Sequence, residues 1–163
     1  MKKAIILDMD GTLADLYGYE NWQYCLDIAM STEPYDNAKP LVNIKQLNYV
    51  LSLLRLQGWT IVINSWLSKN DNPDFHKRIV TAKQNWLSKY RIVHDYAVFT
   101  KYGVDKHECV KDYNIAVLVD DNEEIRNKFR AKGNYALSEK NIVNELSNLL
   151  ERAYDYEKER RIL

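Results

Sequence analysis

Glycine, proline and cysteine are all scarce in this chain of 163 residues, which contains 5, 3 and 2 of them respectively. Because apolar residues make up 46% of the chain, the composition excludes collagen-like, low-complexity and intrinsically disordered proteins. No apolar run is longer than about five residues, so the sequence offers no transmembrane helix. The length suits one domain, 1–163, with room for a small insertion.

An excess of charge of either sign is also absent, since 23 basic residues balance 23 acidic ones. This balance does not indicate a general binder of polyanions such as nucleic acids. Cys25 and Cys109 are isolated and lack the spacing of a metal site, so we expect two reduced thiols. Together these features favour a protein of the reducing cytoplasm with no membrane partner. Nothing in them indicates an oligomeric state.

Four short apolar runs predict buried β-strands. The runs are Ala4–Leu7, Thr60–Ile63, Tyr96–Phe99 and Ile115–Val119. They do not alternate with polar residues, which is typical of parallel strands covered on both faces. Segments with apolar residues at helical spacing separate the runs, and Asn72-Pro73 marks the start of one helix as cap and first residue. The alternation predicts an α/β fold, a Rossmann-like three-layer sandwich around a mainly parallel sheet.

Residues 13–40 interrupt this alternation of strands and helices. The segment is rich in aromatic residues, among them Tyr17, Trp22 and Tyr35, and we expect a small, partly helical insertion above the sheet. We expect its rings to pack the insertion onto the sheet, and stacking on a nucleobase is the alternative. Near the other end of the chain, apolar residues from Ile142 to Ala153 have helical spacing, and a charged tail begins at Glu157.

Every predicted strand ends in residues that can hold a phosphate group or a cation. They are Asp8 and Asp10-Gly11-Thr12, then Asn64-Ser65, then Thr100-Lys101 with Lys106 further on, then Asp120-Asp121. Ligands of open parallel sheets bind outside the carboxyl ends of the strands, so we expect these groups to share one pocket. Carboxylates so close together repel one another and need a cation, and their hard oxygens favour Mg²⁺. A hydroxyl and a lysine beside that cation suit a phosphoryl group.

These residues resemble the motifs of the haloacid dehalogenase (HAD) superfamily of phosphohydrolases. Asp8-Met9-Asp10-Gly11-Thr12 resembles its first motif, Ser65 its second, Lys106 its third and Asp120-Asp121 its fourth. The resemblance runs from about Lys3 to Phe129, which is most of the chain. Within it, residues 10–15 also resemble the start of the 5′(3′)-deoxyribonucleotidases, a subgroup of the superfamily.

The resemblance implies a Mg²⁺-dependent phosphatase that hydrolyses a phosphomonoester, either a nucleotide or another small phosphorylated metabolite. Asp8 would be the nucleophile that forms an aspartyl-phosphate, and Asp10 would be the general acid and base. Ser65 and Lys106 would bind the phosphate, with Lys101 and Lys111 as alternatives for the lysine. The implied metal ligands are Asp8, Asp10 through its main-chain carbonyl, Asp120 and Asp121. The candidate substrate-binding residues are Asn64, Thr12, Trp66, Tyr17 and Trp22, with Thr12 expected mainly to brace its loop.

Three other functions stay open on the sequence alone. A small insertion leaves a site open, which suits a phosphorylated nucleic-acid end or another macromolecule, although the neutral charge does not favour tight polymer binding. A phospho-receiver module also combines an aspartate, Mg²⁺, a hydroxyl and a lysine, but its acidic pair precedes the acceptor, the reverse of the order here. A catalytically idle scaffold of the same superfamily would bind a partner without turnover.

Overall fold

A five-stranded β-sheet forms the centre of the computed structural model, which describes residues 1–150. The strands are β1 (Lys3–Leu7), β2 (Trp59–Trp66), β3 (Tyr96–Thr100), β4 (Ile115–Val119) and β5 (Tyr135–Leu137). The helices are α1 (Trp22–Asp27), α2 (Glu33–Asp36), α3 (Ile44–Leu56), α4 (Pro73–Lys89) and α5 (Glu123–Arg130), with a 3₁₀ helix over Lys106–Val110. Residues 142–150 are also helical. The predicted continuation of that helix to Ala153 and the charged tail from Glu157 lie outside the described residues.

All strand pairs in the sheet are parallel, and the strand order is β3-β2-β1-β4-β5. This is the order of doubly wound Rossmann-like folds, so the predicted α/β class is confirmed. β1 is the central strand, and its Leu7 pairs with Ile63 of β2 and Val119 of β4. The structure adds β5, whose three residues are too few to give a pattern. It also extends β2 through Trp66, so Asn64 and Ser65 lie within the strand rather than after it.

Each face of the sheet is covered by its own apolar cluster. Successive side chains of a strand point to opposite faces, so Ile5 of β1 belongs to one cluster and Ile6 to the other. On the first face the sheet packs against α3, the end of α4 and residues 142–150. On the second face it packs against α5 and the 3₁₀ helix, through Phe129 and Val110. The predicted three layers are therefore present.

Asparagine side chains cap three of the helices. Asn43 caps α3, Asn72 caps α4 and Asn122 caps α5, each by accepting hydrogen bonds from main-chain N–H groups of the first turn. The predicted start of α4 is confirmed, with Asn72 as the cap and Pro73 as the first helical residue. These caps fix where α4 and α5 begin, and both helices hold residues of the candidate site.

The segment between β1 and α3 packs on α4 and not on the sheet alone. Leu16, Leu26 and Tyr35 of this segment form an apolar cluster with Phe75 and Ile79 of α4. A second link is a hydrogen bond of 2.8 Å from the indole N–H of Trp86 to the Ala38 carbonyl. Within residues 1–150, no helix has both the length and the hydrophobicity that crossing a bilayer requires.

Candidate functional site

The carboxyl ends of β1 and β4 lie side by side at the centre of the sheet. Asp8 follows β1, and its main-chain N–H donates to the Val119 carbonyl at 2.9 Å, while Asp120 directly follows β4. The chain winds from β1 toward one edge of the sheet and then crosses to β4 on the other side. The crevice at such a switch point is the place where doubly wound folds bind ligands. Asp8 and Asp120 stand at that crevice.

A tight turn follows β1. The Met9 carbonyl accepts hydrogen bonds from three successive main-chain N–H groups, those of residues 12–14, at 2.8 to 3.3 Å. Gly11 in this turn has a φ of 78°, which favours glycine. A Cβ at this position would collide with Cε2 of Tyr17 and lie 2.6 Å from Oδ2 of Asp121. The glycine therefore lets the turn approach both the aromatic segment and the acidic pair.

Three carboxylates form a compact cluster at this crevice. Asp8, Asp120 and Asp121 each offer one oxygen, and these oxygens lie within 4.8 Å of one another. Burial, followed by the charges of Asp8 and Asp120, raises the pKa of Asp121 to about 6. Burial and the Asp8 charge likewise raise the pKa of Asp120. The three carboxylates thus repel one another, and a bound cation would reduce this repulsion.

Lys106 brings one positive charge into this cluster. Its ammonium group donates hydrogen bonds to Asp8 and, at 2.7 Å, to Oδ2 of Asp120. Burial alone would lower its pKa, but Asp8 and Asp120 raise the pKa of Lys106, so the charged form persists. Lys106 opens the 3₁₀ helix, and Asp105 caps that helix by accepting from the N–H of His107 at 2.9 Å.

The other two candidate lysines lie elsewhere. Lys101 and Lys111 are exposed, whereas Lys106 is buried in the cluster. Asn64 lies beneath Lys106, where its amide donates to the Lys106 carbonyl at 3.4 Å and to the Cys109 sulfur at 3.0 Å. Asn64 is predicted from the sequence to bind substrate, but its side chain contacts the 3₁₀ helix and is not part of the cavity lining.

Thr12 connects the turn after β1 to the acidic pair after β4. Its buried hydroxyl accepts from the main-chain N–H of Asp121 at 3.1 Å. The same hydroxyl lies 3.2 Å from Oδ2 of Asp8 and 3.4 Å from Oδ1 of Asp121, and it can donate to one of them at a time. Thr12 is thus placed as a brace between two loops.

Asp10 and Ser65 share a second buried cation, Lys83. The Lys83 ammonium donates to Oδ2 of Asp10 at 2.5 Å, to the Ser65 hydroxyl at 2.7 Å and to the Trp66 carbonyl at 2.8 Å. Ser65 also lies 3.4 Å from Oδ2 of Asp10. Burial raises the pKa of Asp10, the charge of Lys83 opposes this, and the Asp8 charge adds to it.

Lys83 is a functional candidate that the sequence analysis misses. It lies on α4, four residues after Ile79 and three before Trp86, so it falls within the apolar stripe of that helix. A lysine on the buried face of a helix needs a partner, because an isolated buried charge is costly. The position of Lys83 in the apolar stripe is the sequence feature that indicates a buried lysine, but the sequence does not reveal which carboxylate pairs with it.

A cavity of about 180 Å³ opens beside the acidic cluster. Four aromatic residues, in two pairs, are part of its lining. Tyr17 and Trp22 of the segment after β1 have ring centroids 5.0 Å apart, and Trp66 and Tyr102 have ring centroids 4.8 Å apart. The lining also includes Asp8, Asp10, Leu16, Gln23, Leu26, Asp27, Leu67, Ser68, Lys69, Lys106, Asp120, Asp121, Asn122 and Ile125. The structure therefore places Tyr17, Trp22 and Trp66 next to the carboxylates.

The donor set at the cluster fits a hard divalent cation. Asp8, Asp120 and Asp121 present carboxylate oxygens at one point, and Mg²⁺ and Ca²⁺ prefer such ligands. Histidine and cysteine, which soft or borderline metals prefer, are not part of this cluster. Asp121 makes no ion pair within residues 1–150, so its carboxylate is available to a metal.

Comparison with known proteins finds similarity among solved structures but not among sequences. No protein-family model and no curated protein sequence matches this chain. Among solved structures, a D,D-heptose 1,7-bisphosphate phosphatase from Burkholderia thailandensis is similar, with a TM-score of 0.47 and 16% sequence identity. The similarity covers 81% of this chain and 72% of that one. At this TM-score and identity the similarity assigns neither a family nor an activity, so the functional conclusion rests on the geometry of the site.

Proposed function

We propose that this protein is a Mg²⁺-dependent phosphatase that hydrolyses a small phosphomonoester through an aspartyl-phosphate on Asp8. The observation that carries the proposal is the placement of Lys106 between Asp8 and Asp120, with Asp121 beside them. An ammonium group and three carboxylates at a strand-end crevice suit a dianionic phosphoryl group held with a cation. The assignments of the HAD motifs in the sequence point to the same chemistry.

The first step transfers the phosphoryl group to the protein. A carboxylate oxygen of Asp8 attacks phosphorus, and the bond from phosphorus to the ester oxygen breaks. The electron pair of that bond stays on the leaving oxygen, which takes a proton from Asp10. Lys106 holds the phosphate oxygens during this transfer. The Ser65 hydroxyl is buried outside the cavity lining, where it contacts Asp10 and Lys83. The products of the step are the free alcohol and an aspartyl-phosphate.

The second step returns the enzyme to its starting state. Asp10, now deprotonated, accepts a proton from a water molecule, and the water oxygen attacks phosphorus. The bond between phosphorus and the Asp8 oxygen breaks, which releases inorganic phosphate. Asp8, Asp120 and Asp121, with the main-chain carbonyl of Asp10, would hold Mg²⁺. When bound, Mg²⁺ would neutralise charge on the phosphoryl oxygens and on the cluster.

The organic part of the substrate would lie against the aromatic walls of the cavity. Two aromatic pairs, Tyr17 with Trp22 and Trp66 with Tyr102, line the cavity together with the carboxylates. A flat nucleobase suits such walls, because stacking contributes about 1–3 kcal/mol per base. A nucleotide is therefore the first substrate to test, in line with the deoxyribonucleotidase resemblance of residues 10–15. Residues 13–40 would act as a small cap, and the free cysteines Cys25 and Cys109 suit a reducing cytoplasm.

The test is phosphate release from a panel of phosphomonoesters. The panel contains nucleoside monophosphates, sugar phosphates and p-nitrophenyl phosphate, each assayed with Mg²⁺ and with EDTA. We expect repeated turnover with Mg²⁺, loss of turnover with EDTA, and a preference for nucleotides. A flat panel from folded, Mg²⁺-loaded protein would overturn the proposal for small substrates. Release from phosphorylated oligonucleotide ends, or stable self-phosphorylation, would then support one of the alternative functions.

A further inference from the structure

Lys83 is a fully buried lysine that the proposed reaction does not use. An ammonium group has three N–H donors, and the structure provides three acceptors, on Asp10, Ser65 and Trp66, at 2.5 to 2.8 Å. Every donor of Lys83 is therefore satisfied by a group at or beside the site. No donor remains for a phosphate oxygen, which distinguishes Lys83 from a phosphate-binding lysine.

The surroundings of Lys83 hold it in one position. Its ammonium lies 4.7 Å from the ring centroid of Tyr35, which covers it from the segment after β1. Its own helix packs on either side through Ile79 and Trp86, which are both buried. The side chain is fully shielded from solvent in this packing. A charge in such a setting interacts strongly because water does not screen it.

The carboxylate of Asp10 depends on this contact for its orientation. Its Oδ2 is bonded to Lys83 and lies 3.4 Å from the Ser65 hydroxyl. Its Oδ1 is buried and has no hydrogen-bond partner among residues 1–150. In the described part of the chain, the side chains that bond to this carboxylate are Lys83, at 2.5 Å, and the more distant Ser65 hydroxyl. Without Lys83, the main restraint on the rotation of the Asp10 side chain would be lost.

We infer that Lys83 is a positioning residue that holds Asp10 in the pose from which it protonates the leaving oxygen, and that ties Asp10 to the neighbouring Ser65 hydroxyl. The inference rests on the proposed phosphatase function. The competing role is purely structural, in which Lys83 only neutralises a buried carboxylate. If Lys83 positions Asp10, its loss should slow mainly the esters whose leaving groups need a proton. If Lys83 is only structural, its loss should slow all esters equally.

The test compares kcat/KM for two esters in wild type and in Lys83→Met. The leaving group of an alkyl phosphate is an alkoxide, a strong base that needs the proton of Asp10. The leaving group of p-nitrophenyl phosphate is a phenolate, which is stable without that proton. Because kcat/KM reports the steps up to leaving-group departure, the second step of the reaction does not obscure the comparison. General acid catalysis contributes about 10²–10⁴-fold, so we expect at least ~100-fold loss for the alkyl ester. For p-nitrophenyl phosphate we expect less than ~10-fold loss.

Two further variants sharpen this comparison. Lys77→Met makes the same chemical change at an exposed position of the same helix and should leave both esters unaffected. Asp10→Asn should show the same dependence on the leaving group as Lys83→Met. Adding Lys83→Met to Asp10→Asn should cause little further loss for the alkyl ester, because residues that act as a unit are not additive.

Several results would overturn the positioning role. Equal losses for both esters in folded Lys83→Met, checked by circular dichroism, would assign Lys83 a structural role. Fully additive losses in the double variant would do the same. If Lys83→Met does not fold, Lys83→Gln takes its place, and failure of both to fold would also make the role structural. If the wild type hydrolyses neither ester, the proposed phosphatase function itself is refuted. Failure of that function can therefore be told apart from failure of the positioning role.

Discussion

At the scale of single residues, the site contains lysine and aspartate side chains that contact one another. It also contains Gly11, at which a Cβ would be crowded. Lys106 offsets Asp8 and Asp120, and Lys83 offsets Asp10. The pairs of Lys106 are buried and the Lys83–Asp10 pair is largely so, and removal of one partner leaves an uncompensated charge, which is costly. Gly11 carries no charge. It matters because its positive φ and its crowded surroundings leave no room for a side chain, and this effect on stability can be measured without changing any charge.

Replacing Gly11 by alanine should destabilise the protein more than the same change at Gly133. Both glycines have positive φ, 78° and 80°, which costs an L-residue about 1–2 kcal/mol. A Cβ at Gly133 meets nothing within 4 Å, whereas a Cβ at Gly11 meets Tyr17 and Asp121 at under 3 Å. We therefore expect about 1–3 kcal/mol more loss for Gly11→Ala, measured by urea unfolding. Equal losses at the two positions would show that the predicted crowding is absent.

Some residues of the site can be predicted from the sequence and others cannot, for physical reasons. Asp8, Asp120 and Lys106 follow or precede strands, and parallel strand ends must converge at one edge of the sheet. Lys83 instead meets Asp10 across 73 residues of chain, through the packing of α4 on the sheet. Periodicity marks Lys83 as buried but does not identify its partner. The same reason hides the contact of Asn64 with the 3₁₀ helix.

At the scale of secondary structure elements, α4 links the segment after β1 to the edge of the sheet that holds the candidate site. Its first turn packs Phe75 beneath that segment, its middle supplies Lys83, and its end packs Trp86 into the core. The sequence predicts this helix well because an asparagine cap, a proline and an apolar stripe agree. It does not predict β5, in which Tyr135–Leu137 pairs with β4 only through tertiary structure.

The cap of α4 gives a prediction at this scale. The Asn72 side chain accepts hydrogen bonds from the N–H groups of Asp74 and Phe75, both at 3.0 Å. Asn72→Ala should therefore lower the free energy of unfolding by about 1 kcal/mol. Asn85→Ala, at an exposed position within the same helix, should leave it unchanged or slightly higher, because alanine is the better helix former. A loss at Asn85 as large as that at Asn72 would contradict the capping role.

At the scale of the whole molecule, the sheet order decides where the chemistry lies. β1 and β4 are neighbours, so the two aspartate motifs meet although 112 residues separate Asp8 from Asp120. The strand runs in the sequence predict the fold class and this convergence. They do not predict the walls of the cavity, since Tyr102 lies in a loop and the segment with Tyr17 and Trp22 follows no strand pattern.

Mg²⁺ should stabilise the folded molecule through the acidic cluster. A ligand that binds only the folded state at 100 times its Kd adds about 2.7 kcal/mol to the free energy of unfolding. We expect this gain for wild type with MgCl₂ and a smaller gain for Asp121→Asn, measured by chemical unfolding against an EDTA reference. Asp112→Asn, an exposed acidic residue near the same strand, should behave as wild type. No gain for wild type, or equal effects of the two variants, would argue against metal binding at the cluster.

Asp8 is the proposed nucleophile of a phosphatase. The most direct measurement is multiple-turnover phosphate release, with Mg²⁺, from the best ester of the panel, by wild type and by Asp8→Asn. Asp112→Asn is the matched control, and circular dichroism checks that each variant is folded. We predict sustained release by wild type and Asp112→Asn, and none above background by Asp8→Asn. Sustained release by folded Asp8→Asn at the wild-type rate would show that Asp8 is not the nucleophile.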